Sequence, residues 1–303
     1  MQNRSWLAAL RNRIASHLHS PFAVHGAPAA IRRRRRNAAI QLPVSLELGP
    51  ALLSGAESLE DRTLLSVTAD LSAGVLTVTL TADADHAYIS FNGGLKVGTT
   101  AGGTNAFDGT TAQTITSLSI VNGGSFTGQQ VTFSGTNTIS GSNGTTATGL
   151  NSISIAAGID TVNLQQVLNA STVTGSATTV NVASSGRLQT AVHLTASSGS
   201  TIAAAAADYT GKGTVEVSNK TVTVTGPQAN VSPNSTPASW TNNSALARIA
   251  RFSVLGTGGL ILNGLRLLGG AGGGDDDSAI IMLGSGGLDV SNCIISVAAD
   301  SGK

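Results

Sequence analysis

Leu260-Ile-Leu-Asn-Gly-Leu-Arg-Leu267 recurs 28 residues later as Leu288-Asp-Val-Ser-Asn-Cys-Ile-Ile295. Leu260, Leu262, Leu265 and Leu267 thereby match Leu288, Val290, Cys293 and Ile295 in register. In each copy two alternating apolar positions precede a polar corner, Asn263-Gly264 or Ser291-Asn292, and two more follow it. Alternation at period two places such residues on one face of a strand. Asn and Gly tolerate the left-handed backbone of a sharp bend between strands. A unit of this kind leaves its own apolar face open, so it is expected to stack on its neighbours, with about three or more units needed for stability. The stack is expected to continue past Lys303 or to be covered there.

Composition agrees with that expectation. Of 303 residues, 41% are hydrophobic but only 3% are aromatic and 11% charged. The chain is too apolar for a disordered one, so its core must be assembled from many small aliphatic side chains. Gly269 to Ser278 is a glycine-rich excursion, and residues 227–243, with Trp240, form a long Pro- and Asn-rich loop.

Working towards the N-terminus, Ile115-Thr-Ser-Leu-Ser-Ile120 recurs as Leu150-Asn-Ser-Ile-Ser-Ile155. The strands Gln130 to Phe133 and Thr161 to Leu164 follow these copies. Leu76, Val78 and Leu80 alternate with threonines after a Ser72-Ala-Gly74 turn, and Asn92-Gly-Gly94 separates two further short strands. The predicted fold class is therefore all-β: a β-solenoid or right-handed parallel β-helix, preceded by a short antiparallel β unit and a disordered tail. The expected segments are a basic leader (1–57), a short motif (58–66), a β-rich unit (67–111), degenerate solenoid repeats (112–195) and parallel β-helix coils (196–303).

Charge is divided unevenly. Arg4, Arg11, Arg13 and Arg32 to Arg36 precede the first acidic residue, Glu47, whereas the remainder is net acidic. Basic character thus belongs to the tail, which argues against nucleic-acid binding by the folded part. No apolar run approaches the roughly 18 residues of a membrane helix. Cys293 is the single cysteine, so no intrachain disulfide can form, and a lone thiol in an apolar strand reads as a small core side chain.

Two stretches carry resemblances. Ser58-Leu-Glu-Asp-Arg-Thr-Leu-Leu-Ser66 resembles the LEPR-XLL motif of bacterial surface and exported proteins, with Asp61 in place of its proline. That resemblance implies export and a secreted or cell-surface location. The stretch from Ser198 through Asp208-Tyr-Thr210 to Val215-Glu-Val-Ser-Asn-Lys-Thr-Val-Thr-Val-Thr-Gly226 is similar to the opening coils of pectin-lyase-like parallel β-helix proteins. It keeps their Asn219-Lys220 corner but carries Asp208 where glycine is usual. Residues 112–186 resemble degenerate RTX-like repeats without the calcium-binding aspartates.

Within the pectin-lyase-like group, lyases use carboxylates to hold calcium and an Arg or Lys as base. Here Asp275, Asp276 and Asp277 form the acidic cluster, with Arg266 and Lys212 as the nearest bases. Three consecutive loop aspartates converge poorly on one ion that wants six to eight oxygens, and a solvated acidic loop is the expected reading. His86 and His193 sit in no Ser-His-Asp arrangement and are expected on surface strands. Gly256-Thr-Gly-Gly259 lacks the Lys-Ser/Thr of a phosphate loop. No catalytic, cofactor-binding or metal-binding residue is assigned, and no cofactor is expected. The expected function is a non-enzymatic structural or adhesin-like role, with a cell-envelope or extracellular polysaccharide or protein as partner. The alternative is the N-terminal part of a polysaccharide-lyase-like enzyme whose catalytic coils lie beyond the chain end.

Overall fold

The computed structural model describes residues 66–109, 113–144, 146–231, 233, 246–269 and 278–296. The basic leader, residues 58–65 of the short motif, Trp240 with most of its loop, and Asp275, Asp276 and Asp277 lie outside the described residues.

The first strands are hairpins. β1 (Val67–Ser72) and β2 (Val75–Leu80) pair antiparallel. They meet across Ala73 and Gly74, whose φ angles of 49° and 80° suit a tight two-residue turn. Leu76, Val78 and Leu80 are fully buried and the intervening threonines are not. β3 (His86–Phe91), β4 (Leu95–Gly98) and β5 (Phe107–Asp108) follow as a second antiparallel set.

Next come β6 (Ser117–Asn122), β7 (Gln130–Ser134), a small hairpin of β8 (Gly141–Asn143) and β9 (Thr146–Thr148), β10 (Leu150–Ile155), β11 (Thr161–Leu164), β12 (Ala170–Thr174) and β13 (Thr179–Val182). Here the chain alternates between two sheets. β6, β10 and β12 extend from β2, and β7, β11 and β13 extend from β3, all in parallel. The early hairpins are thus edge members of the same two sheets.

After β13 comes a helix, α1 (Leu188–Leu194), where the sequence reading expected only strands. Leu188, Ala191, Val192 and Leu194 are buried, a helical spacing that turns one face to the core. Its brevity hid that period among the surrounding Ser and Thr residues.

The remaining elements are β14 (Ser200–Ala204), β15 (Ala207–Asp208), a 3-10 turn (Thr210–Lys212), β16 (Val215–Ser218), β17 (Thr221–Thr225), β18 (Ala247–Ile249), β19 (Phe252–Gly256), β20 (Gly259–Asn263), β21 (Arg266–Leu268), β22 (Ile280–Gly284), β23 (Leu288–Ser291) and β24 (Ile294–Ser296). From β14 onward the chain visits three parallel sheets in constant rotation. β14, β17, β20 and β23 continue the sheet of β13, which reaches ten strands. β15, β18, β21 and β24 form a second sheet, and β16, β19 and β22 a third.

Register follows both sequence repeats. Leu118 and Ile120 pair with Ile153 and Ile155. Leu260, Leu262 and Leu267 pair with Leu288, Val290 and Ile295. One inward column of the ten-stranded sheet runs Ala87, Val131, Val162, Val180, Ile202, Val224, Leu262, Val290 across eight strands. All but Val290 are buried, and each fully buried Val, Ile or Leu contributes about 1.5–3 kcal/mol by leaving water. Repetition of small side chains replaces the missing aromatics.

The corners take left-handed backbone at Asn219 (φ 52°), Gly264 (φ 75°) and Asn292 (φ 48°). At Gly264 a Cβ would also stand 2.1 Å from the Ala229 nitrogen, so only glycine fits. The last strands present their apolar side chains: Leu283, Leu288 and Ile295 are 63%, 43% and 51% exposed.

Candidate functional site

The outward face of the ten-stranded sheet carries two rows of polar side chains, because the inward column fixes the opposite parity of every strand. Thr161, Thr179, Thr201 and Thr223 form one row on consecutive strands. Tyr88, Thr132, Asn163, Asn181, Ala203, Thr225 and Asn263 form the other. Neighbours within a row are about 4.8 Å apart, close enough for direct side-chain hydrogen bonds.

The second row makes such bonds continuously at one end. Asn181 Nδ2 donates to Asn163 Oδ1 at 2.7 Å, and Asn163 Nδ2 donates to Thr132 Oγ1 at 3.0 Å. Thr132 Oγ1 lies 2.7 Å from His86 Nε2, and the His86 ring stacks on Tyr88 with centroids 4.0 Å apart. Burial pushes the His86 pKa below its ordinary value, which favours the neutral ring. Thr132 Oγ1 thus accepts from Asn163 and shares a hydrogen bond with His86 Nε2. From Asn181 to Thr132 each amide donates in the direction of His86.

That order breaks at β14, where Ala203 occupies the next place in the row. Among the described residues no side-chain donor meets Asn181 Oδ1. A groove of about 550 Å³ opens at this break. Asn163, Asn181 and the exposed Gln165 bring amides to it, Ala203 and Ala205 contribute a small-residue floor, and Pro227 a further apolar wall. Among the described residues no ionisable one lines it.

The residues singled out from sequence are dispersed. Lys212 Nζ lies 5.0 Å from the centroid of the buried Tyr209 ring and donates to Gly186 O at 2.7 Å and to Ser184 O. Its ammonium serves a turn. Arg266 stands beside Arg248 across β21 and β18, and Arg248 pairs with Asp208 at 3.0 Å. Asp208 Oδ1 also accepts from the Thr210 amide and hydroxyl, which together with Arg248 depress its pKa. Asp208 thus holds the turn that follows β15. His193 lies on α1 and not on a strand, a correction that follows from the missed helix. The thiol of half-buried Cys293 donates to Ser291 O at 3.1 Å, and burial raises its pKa. The raised pKa favours the protonated thiol.

Among the described residues, no group of three or more His, Cys, Asp or Glu is placed to hold a metal ion. No helix among them is long and apolar enough to cross a membrane. The ladder and groove were not singled out from the sequence, although Thr161-Val-Asn163 and Thr179-Val-Asn181 carry their signature. Set against known protein families, curated proteins and solved structures, the chain matches none.

Proposed function

We propose that the protein is a non-enzymatic, secreted or cell-surface bacterial β-solenoid with a structural or adhesive role, its strands wound as a right-handed parallel β-helix. The observation that carries this reading is the constant three-sheet rotation from β14 to β24, with apolar residues stacked in register from strand to strand. Such stacking presents regular outer faces of parallel strands, a geometry suited to display and to extended contacts. The resemblance of residues 58–66 to an exported-protein motif supports the location. Its partner is a polysaccharide or protein of the envelope or extracellular matrix.

Protease shaving of intact cells, with peptide identification and fractionation, tests the proposal. Peptides from 66–296 released from the outside support it; recovery from the cytosol alone overturns it.

A further inference from the structure

The geometry points to the groove at Ala203 as a binding site for an uncharged sugar unit of a polysaccharide. The side chains that line it impose three demands on an occupant. It must carry hydroxyl or amide groups, because the side-chain amides of Asn163, Asn181 and Gln165 line the groove and Ala203, the register partner of Asn181, continues their row with no polar group. It must also carry C–H surface, because Ala203, Ala205 and Pro227 form an apolar floor and wall. And a neutral occupant suits it best, because among the described residues no ionisable side chain lines the groove to compensate a charge. A pyranose ring satisfies all three, with hydroxyls on its edge and C–H bonds on its faces.

The volume of about 550 Å³ is on the scale of small-ligand sites. Hydrogen bonding along the row orients the amides before a ligand arrives, which lowers the entropy lost on binding. Open on one side, the site binds without enclosing and has no catalytic group aimed into it.

This site would serve the proposed adhesive role, on which it rests for its biological setting. The two are separable: purified protein that binds sugar but comes only from the cytosol overturns export and leaves the groove standing. Surface-exposed protein that binds no sugar does the opposite.

The test is titration calorimetry and saturation-transfer NMR on the purified full chain. The probes are cellohexaose, mannohexaose and maltohexaose, with hexagalacturonate as an acidic control. At least one neutral hexasaccharide is expected to bind, and hexagalacturonate to bind at least about tenfold more weakly. Ala203→Asn, which continues the amide row and fills the groove, should weaken binding at least about tenfold while the thermal midpoint stays or rises. Gln165→Ala, at an exposed position, should weaken binding severalfold with the fold intact. Absence of binding by all three neutral probes, equal or tighter binding of hexagalacturonate, or undiminished binding by folded Ala203→Asn would each overturn the assignment.

Discussion

The side-chain amide of Gln189 pairs with the backbone of Glu216 as a neighbouring strand would. Its Oε1 accepts from the Glu216 N–H at 2.6 Å, and its Nε2 donates to the Glu216 carbonyl at 3.3 Å. Gln189 lies on α1 and Glu216 on β16, the first strand of the three-stranded sheet. α1 also packs against β12, the last strand of the five-stranded sheet. A helix therefore stands where the succession of strands is interrupted, and a glutamine supplies part of the hydrogen bonding that the absent strand would have made. Lys220 completes the junction by donating to the carbonyls of Val192 at 3.0 Å and Thr195 at 2.8 Å, near the helix C-terminus.

Gln189→Ala should lower stability by about 1 kcal/mol, the net worth of an ordinary hydrogen-bonded pair at a partly solvated edge. Lys220→Met should do the same by removing the donor that satisfies the last helical carbonyls. Urea denaturation midpoints check both. Equal stability of the two variants and the parent would show that the junction is held by apolar packing alone.

Leu260 and Leu288 occupy one column on adjacent strands, yet the first is fully buried and the second 43% exposed. Leu260→Ala should therefore cost about 2–5 kcal/mol, as cavities in packed cores do. Leu288→Ala should cost less than about 1 kcal/mol, because much of its surface is already in water. Parallel denaturation curves decide it, and similar losses at both sites would show that the last strands are covered in solution.

Tyr209 is buried, and its hydroxyl donates to Val182 O at 3.0 Å. Tyr209→Phe should cost about 0.5–1.5 kcal/mol, the net worth of one hydrogen bond, because Val182 O still accepts from the Ala205 N–H. Burial also pushes the phenol up to about 12. Between the ordinary value near 10 and about 12 the unfolded chain loses this proton first, so the phenol's contribution to stability falls as pH rises through that window. Ultraviolet titration should show one tyrosine ionising late, and Tyr209→Phe should flatten the alkaline slope.

His86 and His193 both have pKa values below the ordinary histidine value through burial, with the Lys220 charge as a second cause at His193. As pH falls from about 6.5 towards the folded values, the unfolded chain takes up protons first, so stability declines. Below the folded values both states are protonated and the decline stops. NMR should place both midpoints under 6.5, and the His86→Gln, His193→Gln double variant should flatten the slope across this window.

The β-rich character, the turn at Ala73-Gly74 and the corners at Gly264 and Asn292 were legible in the sequence because each depends on local backbone preference and a period of two. The 28-residue match of Leu260 with Leu288 predicted their pairing for the same reason: like side chains stack when equal lengths of chain separate them. The helix was not legible, since seven residues offer less than two full helical turns.

The site was less legible still. Asn163 and Asn181 are visible as repeated letters, but their bond at 2.7 Å requires β11 and β13 to be neighbours in one sheet. Ala203 reads as one member of an alanine run until register sets it beside Asn181. Periodicity along the chain determined which side of each strand is apolar, because that choice is made within a few residues. Only the tertiary structure decided which outward residues adjoin one another, because their contacts cross between strands and depend on the length of every intervening turn.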